Sequence, residues 1–259
     1  VRVARKLAWV EAKLLVREPL TLVFAFGFPL VTLFVMAGVF GNSTAGRDEV
    51  VFRNIGAIDY YVPAYVALVL AAIGLVSLPV HLASYRERGV LRRLRASELQ
   101  PRSLFGAHVL VSAVIGAVTT SIMVAAAYAA YRNAMPASWL GVLAGFVFVS
   151  VTFSAIGVAL GTLLPNARSA QVAGMILFFV MMMLSGAGPP PEVLKGPMRI
   201  VHDMLPLTYG IRLIQDPWLD FDWSLRAILV TLGFLLAAGA VALRPSFGGR
   251  KRARAVEPS

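Results

Sequence analysis

Six long apolar runs decide what this chain can fold into: Leu20 to Phe40, Tyr60 to Leu82, Ser103 to Ala130, Trp139 to Leu164, Ala170 to Gly188 and Ala227 to Leu243. A helix crossing a hydrocarbon core about 30 Å thick needs roughly 20 apolar residues at about 1.5 Å each. His81, near the end of the second run, and His108, near the start of the third, are the only acid-base histidine, carboxyl or basic side chains in any of them. In lipid every backbone N–H and C=O must be bonded within the segment, which a helix does and an open strand does not. The expectation is an all-α membrane protein with six transmembrane helices. Charged residues make up 14% of the chain, against the ~25% of a soluble domain.

The basic residues set the orientation, because lysine and arginine stay on the cytoplasmic side. With the N-terminus inside, the inner segments 1–18, 83–102, 165–169 and 244–259 hold 17 of the 24 lysines and arginines. Both termini are thus expected in the cytoplasm, and the net charge of +11 reflects topology and not a nucleic-acid partner. The outer loops carry the acids Asp48, Glu49, Asp59, Glu192, Asp203, Asp216, Asp220 and Asp222. A cleaved signal peptide would have an apolar core of about 7–15 residues; the longer first run points to a retained helix. Arginine's dominance over lysine and the valine at position 1 suggest a GC-rich bacterium, hence a multi-pass protein of its inner membrane.

Before the first span, Val3, Leu7, Val10 and Leu14 recur at helical spacing, with Arg2, Arg5, Lys6, Lys13 and Arg17 on the adjoining face beside Trp9. Residues 1–18 therefore read as an elbow helix lying in the membrane interface, its basic side chains reaching lipid phosphates. The bland alternative is a basic start that only fixes topology. Residues 19–243 are expected to form the six-span transmembrane domain and 244–259 a basic cytoplasmic tail.

Several chemistries are excluded. There is no cysteine, so thiolate catalysis and disulfides are absent. No GxxxxGK[ST] phosphate loop occurs, and the span centres lack the ionisable groups of proton-coupled transporters or intramembrane hydrolases. His81, His108 and His202 show no metal-site spacing. Any energy source must lie on another chain. Gly141/Gly145 and Gly157/Gly161 in the fourth span suit close helix approach, either as a dimer face or as packing within the chain. Phe178, Phe179 and Met181 to Met183 in the fifth suit core packing better than a pliable substrate surface.

One stretch stands apart: YRERGVLRRLRASELQP, Tyr85 to Pro101. On a helix Glu87, Leu91, Leu94 and Glu98 form a stripe spaced 4, 3 and 4, flanked by Arg88, Arg92 and Arg95 on one side and Arg86 and Arg93 on the other. Gly89 weakens the start of such a helix. A loop that only set topology would need the arginines and not the stripe. An apolar ridge rimmed by charge suits a groove on a partner protein.

This stretch resembles the cytoplasmic segment of ATP-binding-cassette type 2 export permeases. So does LSGAGPPPEVLKGPMRIVHDMLPLTYGIRLI, Leu184 to Ile214, with its Ser-Gly, proline-rich and Pro-Leu-Thr-Tyr elements. The likeness is nearest to the daunorubicin-resistance type of multidrug permease. Val90 stands where that family often has threonine, and GPPPE is richer in proline than usual. The resemblance implies a homodimer or heterodimer of permease subunits, each with a cytoplasmic ATPase that holds ATP and magnesium; this chain needs no cofactor. It implies an ATPase-coupling helix at about 85–101, with Glu87, Arg88, Gly89, Leu91, Leu94 and Glu98 as its contacts. It also implies an outer re-entrant segment at about 189–214, in which Pro206, Leu207, Thr208 and Tyr209 help to cap the pathway.

The function expected is the permease subunit of an ATP-driven exporter of amphipathic drugs or lipid-like compounds, with no catalytic residue and no metal of its own. Export of polysaccharide or a lipid-linked polymer is the nearest alternative. A membrane scaffold or enzyme outside this class is the more distant one, and it would need polar residues clustered at depth.

Overall fold

The structure is a computed structural model that describes residues 23–40, 52–89 and 101–242. Six of its helices are long and apolar enough to cross a membrane. They are α1 (Val23–Phe40), α2 (Ala57–Glu87), α3 (Pro101–Tyr131), α4 (Trp139–Leu163), α5 (Ala167–Leu184) and, after two shorter helices, α8 (Leu225–Ala242). The shorter pair, α6 (Pro197–Met204) and α7 (Pro206–Trp218), lies between the fifth and sixth spans. No strand occurs among the described residues. The all-α, six-span expectation holds.

The second helix is the axis of the bundle. In α2, 89% of the most apolar window is buried, against 17% in α8. Tyr61, Tyr65, Leu68 and Leu75 of α2 are wholly enclosed. Around it pack α1, α3, α4, α5 and α7. A π-helical turn at Ile73–Ser77 interrupts it, and such insertions bend a helix and recur at functional positions.

Glycines let the neighbours come this close. A Cβ on Gly157 of α4 would run into the backbone carbonyl of Gly74, and one on Gly174 of α5 into that of Leu75. Further along α4, a Cβ on Gly145 would strike the carbonyl of Leu213 in α7, and one on Gly141 the ring of Pro217. Both GxxxG pairs are therefore occupied within the chain. The Phe178–Phe179 pair likewise stacks edge-on against Phe24 and Phe28 of α1, and Met181 and Met182 are buried. This is core packing, although Phe179 and Met183 keep one exposed side.

Proline opens both short helices, at a position where a helix has no use for an N–H. α7 runs back along α4: its Trp218 and Pro217 carbonyls accept from Ala137 and Ser138 just before α4, while Gly210 near its other end faces Val149 and Phe153. Ten residues of α4 separate Trp139 from Val149, about 15 Å of rise. α6 exposes apolar side chains that a soluble helix would bury, alongside Arg199. Met198, Ile200, Val201 and Met204 are exposed, whereas His202 is buried.

Candidate functional site

The polar chemistry of the described residues sits at the two ends of α2. At its C-terminal end, Arg86 Nη1 donates to the carbonyls of Gly161 (2.7 Å), Thr162 (2.9 Å) and Leu164 (3.0 Å). These belong to the last turn of α4, where carbonyls lack intrahelical partners and carry partial negative charge. The next residue reaches the opposite kind of end. Glu87 Oε1 accepts from the backbone N–H of Ala167, the first residue of α5, at 3.3 Å, where the helix dipole is positive. Two consecutive side chains of opposite charge thus hold the two helix ends that flank the short Leu164-Pro165-Asn166 connection. Asn166 adds a capping box with Ser169, its Oδ1 accepting from Ser169 N at 2.7 Å.

The helix stops immediately afterwards. Gly89 has φ +67°, the left-handed conformation that ends helices and costs glycine little. Gly89 therefore terminates α2, and Glu87 is the last residue of that helix and not the first of a separate one. Arg88 follows as an exposed turn residue. Leu91, Leu94 and Glu98 lie outside the described residues, as do Arg5, Lys6, Trp9, Lys13 and Arg17 of the expected elbow and the tail at 244–259.

At the N-terminal end of α2 the ties run between side chains. Phe52, Arg53 and Asn54 all have positive φ, a left-handed turn that costs non-glycine residues about 1 kcal/mol or more each. Phe52, fully buried, holds it by packing against Phe40, Tyr60 and Tyr61. The turn aims Arg53 at α7. Its Nη1 lies 2.8 Å from Asp216 Oδ1 and 3.4 Å from Gln215 Oε1, and its guanidinium sits 4.2 Å over the ring of Phe221. Asp216 Oδ2 accepts from Ser224 N ahead of α8. Gln215 Nε2 donates to the Tyr60 carbonyl at 2.9 Å. Asp59 accepts from Ala134 N at 2.7 Å, and Trp218 Nε1 donates to the carbonyl of the same residue.

Pro206, Leu207, Thr208 and Tyr209 form the first turn of α7 and are all buried. Thr208 Oγ1 donates to the His202 carbonyl and the Tyr209 hydroxyl to that of Asp203, fastening α7 to α6. His202 in turn approaches the Leu184 carbonyl at the end of α5 with Nδ1, at 2.7 Å. A carbonyl only accepts, so Nδ1 carries the proton and Nε2 is a bare acceptor; no partner meets it. Burial pushes the pKa of this imidazole below the ordinary histidine value, a downward push to which the nearby Arg199 and Arg212 add. Between α6, α7 and the loops lies a pocket of about 280 Å³ lined by His202, Ser185, Arg199, Arg212, Glu192 and Asp222 among others. Sequence reasoning found the α6–α7 segment but missed both the Arg53–Asp216 pair and the pocket. The available signal was Asp216 itself, an acid within an otherwise apolar-faced helix. No group of three or more potential metal ligands gathers among the described residues.

A family model described as "ABC-2 type transporter" matches residues 3–217. The chain belongs to the ABC-2 type transporter family. It is a membrane-spanning permease component and not a nucleotide-binding domain, and members of this family normally pair with a cytoplasmic ATPase. Six apolar helices and the family match make it a multi-pass membrane protein. The reading as a scaffold or enzyme outside this class is thereby set aside. A search of curated proteins finds no match.

Proposed function

We propose that this ABC-2 permease is an exporter subunit of the daunorubicin-resistance type, moving amphipathic drugs or lipid-like compounds out across a bacterial inner membrane. Two permease subunits form the pathway, and a separate ATPase on each cytoplasmic face binds ATP and magnesium. The segment from Glu87 to Leu99 is the coupling element and residues 1–18 the elbow.

The observation that carries this reading is the pair of bonds at the end of α2. Arg86 and Glu87 sit where α2 ends and the proposed docking stripe begins, and they hold the facing ends of α4 and α5. A push on the stripe by a closing ATPase reaches two spans through two consecutive residues. The interior supports an amphipathic cargo, since the spans carry hydroxyl and aromatic groups but no carboxylate or basic side chain at depth among the described residues. The course of α7 along α4, with α6 turning an apolar face outward, supports the re-entrant reading. Its backbone groups are bonded within helices, as membrane depth requires.

The test is to express the permease and a candidate ATPase subunit from the same source, together and separately, in a drug-sensitive host. Minimum inhibitory concentrations for a panel of amphipathic aromatic drugs should rise only when both chains are present. ATP hydrolysis by the purified pair in lipid should increase with the drugs so identified. A panel with no shift, together with an ATPase indifferent to the permease, would overturn the reading.

A further inference from the structure

The pocket between α6, α7 and the loop after α5 holds three groups without partners among the described residues and a fourth that is only partly engaged. His202 Nε2 and Ser185 Oγ are buried and unbonded, in residues 1% and 2% exposed. Native proteins rarely leave such atoms bare, since each costs about 1–3 kcal/mol. Arg212 makes no ion pair or hydrogen bond with any described residue, and Arg199 spends only Nη1, on the Pro191 carbonyl. Arg53, the third arginine of the pocket, is committed to Asp216. Two acids, Glu192 and Asp222, also line the space and form no ion pair among the described residues. The uncommitted charges are thus two positive and two negative. A bare anion would meet carboxylates and a bare cation would meet guanidinia. A zwitterion meets both correctly.

The helix that walls the pocket indicates what carries that zwitterion. Around α6, Met198, Ile200, Val201 and Met204 fill one arc and are exposed, while Arg199 and His202 occupy the other and line the pocket. An exposed arc of this kind suits acyl chains, and long apolar side chains beside a polar site place a head group and its tail within one helix width. We infer that the α6–α7 pocket binds the phosphoryl-amine head group of a zwitterionic lipid, its phosphate on Arg199 and Arg212 and its ammonium toward Glu192, Asp222 and the bare His202 nitrogen. The binding stands on the pocket alone; only its assignment to the outer leaflet rests on the orientation proposed above.

The experiment uses the full-length chain in nanodiscs made from phosphatidylethanolamine, phosphatidylcholine and phosphatidylglycerol in equal parts. The lipid retained after detergent exchange is measured by mass spectrometry. Phosphatidylethanolamine should be enriched, and Arg212→Gln should reduce that enrichment roughly tenfold, the scale of one charge-assisted hydrogen bond. Ser185→Ala, a small change safe for folding, should reduce it several-fold, whereas Arg168→Gln, in the first turn of α5 at the opposite end of that helix from Ser185, should leave it unchanged. Soluble phosphoethanolamine should displace the lipid from the wild type; failure to do so with enrichment intact would mean recognition through the tail, and would overturn the head-group assignment. Equal retention of phosphatidylglycerol, or enrichment untouched by both pocket variants, would overturn it too. The chain has no cysteine, so Lys195→Cys with an impermeant maleimide on whole cells reads the orientation separately. Labelling only after permeabilisation would move the site to the inner leaflet while leaving the binding result intact.

Discussion

The two ends of α2 are fastened in different ways. At the Arg86 end, two adjacent side chains bond only to main-chain groups of α4 and α5. At the Arg53 end, side chains and loops from before α2, after α3, in α7 and before α8 are tied by a half-buried ion pair, an amide bond and a ring contact. The first arrangement can be moved by a pull on two residues. The second resists any single pull, because each group answers to several others. On the proposed mechanism a helix fixed at one end and held by two residues at the other acts as a lever, and its π-helical turn at Ile73–Ser77 is where it would flex.

Both ends depend on α2 lying tightly against α4 and α5 in between, so the largest effect should come from wedging that seam open. Gly157→Ala and Gly174→Ala each place a methyl group against a backbone carbonyl, which cannot swing aside as a side chain could. Each should cost about 2–3 kcal/mol, at the upper end for overpacking, seen as a lowered unfolding temperature in detergent. Gly233→Ala and Gly239→Ala in α8 have open space around them and should be neutral or slightly stabilising. Equal losses in the two pairs would mean that α2 is not the tight axis.

Next in size is the anchored end. Arg53→Ala leaves Asp216, 3% exposed, without its cation. Removing one partner of a fully buried pair costs about 3–5 kcal/mol, and the partial exposure of Arg53 brings the expectation down to about 2 kcal/mol. Asp216→Asn still accepts from Ser224, so in the Arg53→Ala background it should recover part of the loss. A double-mutant cycle showing no coupling between the two positions would remove the anchor from the comparison.

At the lightly held end the effect on stability should be smaller and the effect on coupling larger. Arg86→Ala should cost about 1–2 kcal/mol, as one charged donor serving otherwise bare carbonyls. Arg86→Lys keeps the charge without the planar fork and should fall between. Glu87→Gln keeps an acceptor for Ala167, whereas Leu91→Asp strikes only the proposed docking ridge. On the proposed mechanism, Leu91→Asp should lower co-purification of the ATPase with normal insertion; Arg86→Ala should leave co-purification intact and lower transport per ATP hydrolysed. If Arg86→Ala lost the ATPase as Leu91→Asp does, docking and transmission would not be separable.

The spans were legible because an apolar run long enough to cross hydrocarbon has few other fates. The apolar pattern placed the second span at Tyr60 to Leu82, and the helix runs from Ala57 to Glu87. The added turns carry polar residues whose partners lie far away in sequence: Asp59 with Ala134, and Arg86 with Gly161 to Leu164. Arg86 reads in the sequence as one topology-setting arginine among several, since nothing local distinguishes it. The glycine pairs showed that a close approach existed but not to what, and a dimer face was an open reading until α2 and α7 were seen against them. Arg53 and Asp216 stand 163 residues apart, a pairing no periodicity reports. The stripe residues Leu91, Leu94 and Glu98 lie outside the described residues, so their part in coupling is read from the sequence pattern and the family, with the bonds of Arg86 and Glu87 as its structural support.

The smallest effect should separate the two ends by pH. His202 is buried at the anchored end, with its pKa held below the ordinary histidine value, so in the native state it stays neutral where the unfolded chain takes up a proton. Stability should therefore be full above the unfolded value near 6.5 and fall as pH drops below it, with a slope of at most about 1.4 kcal/mol per pH unit for one proton. The cations Arg199 and Arg212 oppose protonation there, while Asp203 and the Leu184 carbonyl favour it. Unfolding temperatures of the wild type and His202→Gln, taken between pH 7.5 and 5.5, should diverge, with the variant losing less on acidification. Arg86→Ala should follow the wild-type pH profile at a lower level, because histidine takes no part in its bonds to α4. If His202→Gln lost as much as the wild type over that interval, the acid sensitivity would have to be assigned to other groups and the pH contrast between the two ends would disappear.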